Sequence, residues 1–95
     1  MNVKDLKEGK VDEIELEIVE VGEERSVRSK LGSSRVCVVI AQDETGRVKV
    51  TLWNDEIERI KGAQRVKITD GWVKEWNNEL QISAGRYGKL EAIKE

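Results

Sequence analysis

The segment that most constrains the fold of this chain is residues 43–53, where a turn leads into a strictly alternating stretch. Asp43-Glu44-Thr45-Gly46 has the composition of a tight turn. Aliphatic side chains then alternate with other types, in the order Val48, Lys49, Val50, Thr51, Leu52 and Trp53. Since the side chains of a strand point alternately to its two faces, this pattern predicts a strand with an aliphatic core face and an outer face that carries Lys49, Thr51 and Trp53.

A second alternating stretch runs from Val11 to Val21. Its apolar positions alternate with glutamates until Ile18, after which Val19 and Val21 become the apolar positions. A shift of one residue is typical of a β-bulge, and such a kink lets one long strand serve two parts of a small barrel. Residues 22–34 are polar, and we expect a long loop there, in which Val27 hints at a short extension of the first strand.

The stretch from Arg35 to Ala41 is nearly all aliphatic. This favours a strand that is covered on most of both faces and is joined by the turn at residues 43–46 to the strand ending at Trp53. Cys37 lies within it and is the only cysteine of the chain. We therefore expect Cys37 to be a small buried apolar residue in a reducing compartment.

A short helix is predicted at residues 54–62. Asn54 or Asp55 can cap its start, Ile57 and Ile60 lie three positions apart on one face, and a Lys-Gly pair can end it. The next strand runs from Gln64 to Lys74, with Val66 and Ile68 inward. A bulge at its glycine would turn Val73 inward and place three side chains together outside: Trp72, Lys74 and Trp76.

The element order predicts the fold. Beyond a turn at Asn77-Asn78, the last strand runs from Leu80 to Ser83, with Leu80 and Ile82 inward. Five strands with a short helix between the third and the fourth is the order of the all-β OB fold. This is a small Greek-key barrel whose strand two–three face and flanking loops commonly hold oligonucleotides.

Composition limits the class of protein. The 95 residues make one small domain, and 38% of them are charged. No apolar run reaches the roughly 20 residues of a membrane span, and the start lacks the apolar segment of a signal peptide. We therefore expect a cytoplasmic protein, nucleoid-associated if it binds DNA, with no membrane partner. With no histidine and no phosphate-binding glycine motif, we expect neither an enzyme nor a cofactor or metal site.

The charges are distributed unevenly along the chain. Residues 1–24 contain three lysines and nine acidic residues, a net charge of −6, whereas residues 25–86 contain twelve basic and eight acidic residues, a net charge of +4. The segment that contains all three tryptophans is therefore basic although the whole chain carries −2. Aromatic rings interleaved with cations are what single-stranded nucleic acid binding needs, because bases stack on rings and phosphates attract Lys and Arg. On charge alone, a merely solvated surface is equally expected.

Three segments carry a resemblance to a known family. DETGRVKVTLW, ITDGWVKEW and LQISAG resemble archaeal single-stranded DNA-binding proteins and the OB domains of archaeal replication protein A, and the likeness covers roughly residues 3–93. The resemblance implies base stacking on Trp53, Trp72 and Trp76. It also implies backbone contacts from the basic positions after strand one and near the Ala-Gly pair, namely Arg25, Arg28, Lys30, Arg35 and Arg86. Lys49 and Lys74 join this set because they lie beside the tryptophans.

Three functions remain open from the sequence. The first is binding of single-stranded DNA with little sequence preference, in replication, recombination and repair. The second is an OB-fold assembly module that contacts other replication or repair proteins or further OB domains. In such an assembly module, strand one and the C-terminal segment would form the interface, and the tryptophans would be packed. The third is RNA or tRNA binding. Single-chain members of the family carry a tail beyond the barrel, whereas this sequence stops at Glu95. We therefore expect residues 1–95 to be either a whole protein or one OB domain of a longer multi-barrel protein.

Overall fold

The computed structural model describes residues 2–30 and 32–93, without the side chains of Ser29, Trp76 and residues 85–87. A 3₁₀ turn at Val3–Asp5 precedes the strands and the helix. In chain order these are β1 (Gly9–Ser29), β2 (Gly32–Asp43), β3 (Gly46–Trp53), α1 (Asp55–Ile60), β4 (Arg65–Trp76) and β5 (Glu79–Ile93). The predicted five strands, with one helix between the third and the fourth, are confirmed.

The strands close into a barrel in the order β1-β2-β3-β5-β4, and β4 pairs back onto β1. The first half of β1 pairs with β4 and its second half with β2. The β3–β5 pair is parallel and the other pairs are antiparallel. One long first strand thus serves two parts of the sheet, as the sequence predicts.

The core is aliphatic and follows the predicted inward positions. Val48, Val50 and Leu52 of β3 are buried, and so are Val66, Ile68 and Val73 of β4. Among the described residues no polar or charged side chain is buried, which makes burial of apolar surface the main source of stability. The helix contributes Ile57 and Ile60 to this core and ends at Ile60; Lys61 is its C-cap residue, and Gly62 after it adopts a φ of 78°.

Both predicted bulges are present. The β1–β2 register shifts between Ile18 and Glu20, and the β4–β5 register shifts between Thr69 and Gly71. A Cβ on Gly71 would lie 2.7 Å from Cγ2 of Ile68, so this close approach requires glycine. The predicted turn at Asn77-Asn78 joins β4 to β5, and both asparagines have positive φ.

The expectation of a loop at residues 22–34 is wrong. Residues 24–29 of β1 pair with residues 32–37 of β2 and form a two-stranded ribbon, here called the arm, with Lys30 in its turn. The polar sequence is misleading because a ribbon that projects from a barrel has solvent on much of its surface and lacks an aliphatic face. Val27 belongs to this ribbon and is exposed.

Four further expectations need correction. Strand β2 is covered on one face only, since Cys37, Val39 and Ala41 are buried whereas Val38 is 37% exposed. After the bulge, Val19 and Val21 are exposed rather than core residues. Strand β5 extends beyond residue 83 to Ile93 because its second half pairs with β4. The side chain of Asn54 does not cap α1; its Oδ1 accepts the backbone N–H of Arg35 at 2.9 Å instead.

Candidate nucleic-acid interface

The outward side chains of four adjacent strands form one continuous surface, here called the outer face. Residues that pair directly across a ladder point to the same side of the sheet. Val36 pairs with Trp53, and Thr51 pairs with Ser83, which pairs in turn with Trp72. The outer face therefore carries Val36, Val38, Lys49, Thr51, Trp53, Gln81, Ser83, Trp72 and Lys74.

Two of the three predicted stacking residues lie on the outer face with their rings accessible. Trp53 is 42% exposed and Trp72 is 50% exposed. One strand, β5, lies between them, and the ladders place Trp72 level with Thr51, two residues before Trp53. With strands about 4.8 Å apart and a rise of about 3.3 Å per residue, the two backbone positions are roughly 12 Å apart. The side chain of Trp76 lies outside the described residues, although its backbone pairs with Glu79 at the end of β4.

Two predicted lysines flank Gln81 on this surface. The ladders place Lys49 opposite Gln81 on one side and Lys74 opposite it on the other. The Nζ of Lys49 forms an ion pair with Glu79 at 2.6 Å, whereas Lys74 has no ion pair among the residues that the structure describes. The pair at Lys49 is exposed, so it is expected to exchange readily for a phosphate.

The arm separates two of the predicted cations onto opposite sides. Arg25 pairs with Val36 and therefore points to the same side as Trp53, which pairs with Val36 from β3. Arg28 pairs with Ser33, on the side of the ribbon that carries Arg35 and Cys37. Arg25 thus belongs to the outer face and Arg28 to the other side of the arm, with Lys30 at the turn between them.

Arg35 is held by two carboxylates. Its Nη1 donates to Oε1 of Glu24 at 2.8 Å and to Oε1 of Glu58 at 3.1 Å, which joins β1, β2 and α1. These hydrogen bonds raise the pKa of the Arg35 guanidinium, the one to Glu58 most. The hydrogen bond from Arg35, followed by one from Lys61, lowers the pKa of Glu58. Its backbone is also fixed, because Asn54 N–H donates to the Arg35 carbonyl oxygen at 3.0 Å.

The end of β3 is anchored to the helix that follows it. Oε1 of Glu56 accepts the backbone N–H of Trp53 at 3.0 Å. Burial raises the pKa of Glu56, against the smaller lowering effect of this hydrogen bond and of the charge on Arg59. The backbone that presents the Trp53 ring is therefore fixed from two directions, by Glu56 and by the ladder to β2.

A groove of about 440 Å³ lies between the base of the arm and the outer face. Val36 and Val38 contribute apolar surface to it, and Lys49 and Gln81 line its sheet side. On the side of the arm, three residues of β1 line the groove: Gly22, Glu23 and Arg25. The volume of the groove, its apolar patch and its polar edges suit the binding of a planar ring that carries hydrogen-bonding groups.

Two glutamates in the first half of β1 form ion pairs with basic residues of β4. Glu13 forms an ion pair with Lys67 at 3.2 Å, and Glu15 forms one with Arg65 at 3.7 Å. The hydrogen bond that Lys67 donates to Glu13 raises the pKa of Lys67. Glu13 and Glu15 are therefore partly neutralised by β4, the strand with which the first half of β1 pairs.

Several residues of the outer face were not predicted as site residues. Gln81, Ser83 and Val38 lie between the tryptophans and the cations, and Lys10 pairs with Trp72 at the far edge. Strand parity could have indicated Gln81 and Ser83, since both alternate with inward positions. The predicted Arg86 lies outside the described side chains.

The described part of the chain was searched for metal-binding groups and for membrane-spanning helices. No group of three or more His, Cys, Asp or Glu side chains that could hold a metal ion is found there. Nor does any helix within residues 2–30 and 32–93 have the length and apolarity to cross a membrane.

The barrel topology and an outer face with accessible tryptophans and cations define a domain of the OB class. The chain belongs to the OB-fold nucleic acid binding domain family, whose sequence profile matches residues 8–90. It is 34% identical over 82 residues to the single-stranded DNA binding protein Ssb of Saccharolobus solfataricus, covering 86% of this chain and 55% of that protein. The chain therefore spans about half the length of this relative. The resemblance to archaeal single-stranded DNA-binding proteins, drawn from the sequence, is confirmed.

Solved structures show the same fold. The second OB-fold domain of replication protein A from Methanococcus maripaludis superposes with a TM-score of 0.78 at 22% identity, over 100% of this chain and 95% of that one. A chain of a replication protein A heterotrimer bound to single-stranded DNA gives a TM-score of 0.72 at 17% identity, over 100% of this chain and 25% of that one.

Proposed function

We propose that this domain binds single-stranded DNA with little sequence preference and serves DNA replication, recombination and repair in the cytoplasm, at the nucleoid. The observation that carries the proposal is the placement of Trp53 and Trp72 on one face, both exposed and both flanked by cations. Exposed indole rings beside cations are the arrangement on which the bases of a single strand stack. The relative named for single-stranded DNA binding supports the choice of ligand.

In this proposal each group of the outer face has one task. Bases stack on Trp53 and Trp72, and Trp76 is proposed as a third stacking residue from the resemblance. Phosphates run past Arg25, Lys49 and Lys74, with Arg28 and Lys30 in the arm and Arg86 in β5 as further contacts. The role is one of binding without catalysis, and other replication or repair proteins, or further OB domains, are proposed partners.

The alternative of an assembly module requires packed tryptophans. The exposed fractions of Trp53 and Trp72, 42% and 50%, argue against that arrangement. The ion pairs between β1 and β4 also partly neutralise the acidic strand that would form its interface.

Intrinsic fluorescence tests the proposal. Adding an oligo-dT of about eight nucleotides, within the 4–16 that one OB fold covers, should quench the tryptophan emission to a saturating endpoint. Trp53→Ala or Trp72→Ala should weaken binding by about 1–3 kcal/mol, with little change in the free energy of unfolding because neither ring is in the core.

Trp53→Phe is the matched control, since it keeps an aromatic face and should retain most of the affinity. Duplex DNA and oligo-rU, measured at the same salt concentration, distinguish DNA strands from duplex and RNA binding. Absence of quenching by oligo-dT, or unfolding of both alanine variants, would contradict the proposal.

A further inference from the structure

A carboxylate stands within the cationic groove beside the arm, and phosphate binding does not account for it. Glu23 lines the groove together with Arg25 and Lys49. It is exposed and forms no ion pair with any residue that the structure describes. A negative charge at this position repels phosphates, so it weakens general binding of a nucleic acid strand.

The backbone fixes the position of Glu23. Val21 pairs with Val39 and Glu24 pairs with Cys37, so Gly22 and Glu23 together stand opposite the single residue Val38. Two residues against one is a β-bulge, a device that redirects a side chain. Glu23 is therefore in the groove because of the bulge and not because of simple strand alternation.

The bulge itself is tightly held. The Cys37 thiol donates to the Gly22 carbonyl oxygen at 3.3 Å. A Cβ on Gly22 would lie 2.5 Å from the carbonyl oxygen of Val38, so only glycine fits there. These contacts hold the backbone next to Glu23, so the position of its Cα beside the groove is set by the fold.

A carboxylate accepts hydrogen bonds and cannot donate them at neutral pH. Cytosine presents an amino group at its 4 position, a group that Glu or Asp recognises in base readout. Thymine and uracil present a carbonyl oxygen at the same position, which a carboxylate repels. Across the groove, the amide of Gln81 can donate to the acceptor groups of the same ring.

We propose that this groove binds one nucleobase with an exocyclic amino group, cytosine in preference to thymine or uracil, and that Glu23 selects it. The inference rests on the proposed function and adds a mild preference for amino-bearing bases at one position of the strand. Val36 and Val38 contact the ring, Gln81 and Glu23 contact its edge, and Arg25 and Lys49 contact the flanking phosphates.

Oligonucleotides that differ only in the base edge test the proposal. Affinities for oligo-dC, oligo-dU and oligo-dT of equal length are measured at one salt concentration, with dU separating the amino group from the thymine methyl group. We expect oligo-dC to bind at least about fivefold more tightly than oligo-dU, the low end for one base contact. In Glu23→Gln the ratio of the oligo-dC affinity to the oligo-dU affinity should fall close to one. An amide can accept a hydrogen bond from the amino group of cytosine and can donate one to the carbonyl oxygen of uracil.

Glu20→Gln is the matched control: it removes the same charge from the same strand, outside the groove, and should leave the ratio unchanged. A wild-type ratio near one, or a preference that persists in Glu23→Gln, overturns the inference. Equal tightening of all three ligands in Glu23→Gln also overturns it, since Glu23 would then only repel phosphate. None of these results affects the proposed function, which fails only if oligo-dT and the other strands do not bind.

Discussion

At the scale of single residues, Asp43 shows how one side chain can fix two segments. Its carboxylate accepts the backbone N–H of Thr45 at 2.7 Å and that of Gly46 at 3.2 Å, within the β2–β3 turn. It also accepts the N–H of Val3 at 2.8 Å, which holds the N-terminal 3₁₀ turn against the barrel. Burial raises the pKa of Asp43, but these hydrogen bonds and one from the Thr45 hydroxyl together lower it.

Asp43→Ala should therefore reduce the free energy of unfolding by about 1 kcal/mol near pH 7, as for a lost capping carboxylate. The lowered pKa means that the folded state binds its proton at a lower pH than the unfolded state does. The contribution is thus complete above the unfolded pKa and is lost as the pH falls through the folded pKa. Urea unfolding of wild type and variant at several pH values measures it.

Glu44→Ala is the control for Asp43, since it removes the neighbouring exposed carboxylate. It should cost little at any pH. Equal effects of the two variants, or a loss at Asp43 that does not shrink in acid, would show that Asp43 does not stabilise the fold through its charged form.

At the scale of elements, the orientation of the arm depends on Arg35. This residue connects Glu24 in the arm with Glu58 in α1, and its backbone is bonded to Asn54 beside Trp53. A guanidinium with two carboxylate partners is poorly placed to bind a phosphate as well. We therefore expect Arg35 to position the arm over the outer face, rather than to contact DNA as the resemblance implies.

Removal of one carboxylate distinguishes the two roles of Arg35. If Arg35 binds phosphate, Glu58→Gln should free it and strengthen binding of oligo-dT. If Arg35 positions the arm, Glu58→Gln and Arg35→Ala should both weaken binding, because each loosens the same connection. Affinities are compared with that of Glu44→Gln, which removes one charge without touching the arm; tighter binding by Glu58→Gln than by this control would contradict the positioning role.

At the scale of the whole molecule, the charges are unevenly distributed over the surface. The outer face carries Arg25, Lys49 and Lys74, whereas Glu13 and Glu15 of β1 pair with Lys67 and Arg65 on β4. A chain with a net charge of −2 can therefore present a locally positive surface to a polyanion. Since the potential of exposed charges is screened within about 8 Å at physiological salt, the local arrangement decides binding.

Salt dependence measures the number of phosphate contacts. Each contact with a single strand contributes about −0.7 to the log–log salt slope, so about three to five contacts predict a slope of roughly −2 to −3.5. Arg25→Ala should flatten the slope by about 0.7, whereas Trp53→Ala should weaken binding at an almost unchanged slope, because stacking releases no counterion.

Arg65→Ala is the control for this measurement, since it removes a cation from the side away from the arm and should leave the slope unchanged. A slope that changes equally in the Arg25 and Trp53 variants would show that charge and stacking are not separate contributions on this surface.

The sequence by itself determined the order of the five strands and the helix, the turns at residues 43–46 and 77–78, and most of the core positions. Alternation at residues 48–53 identified the buried face of β3, and the glycine at position 71 identified a bulge that turns Trp72 outward. These predictions succeed because they depend on neighbours along the chain: the period of a strand, the turn propensities of Asp, Asn and Gly, and the need to bury aliphatic surface.

Only the tertiary structure decided which charges share a surface. The polar stretch of residues 22–34 could not be recognised as a ribbon, since a solvated ladder has no hydrophobic pattern to mark it. The register of that ribbon separates Arg25 from Arg28, and the meeting of the arm with α1 gives Arg35 its two carboxylates. Such relations arise between segments distant in the chain, because strand register and barrel closure fix them and local sequence does not.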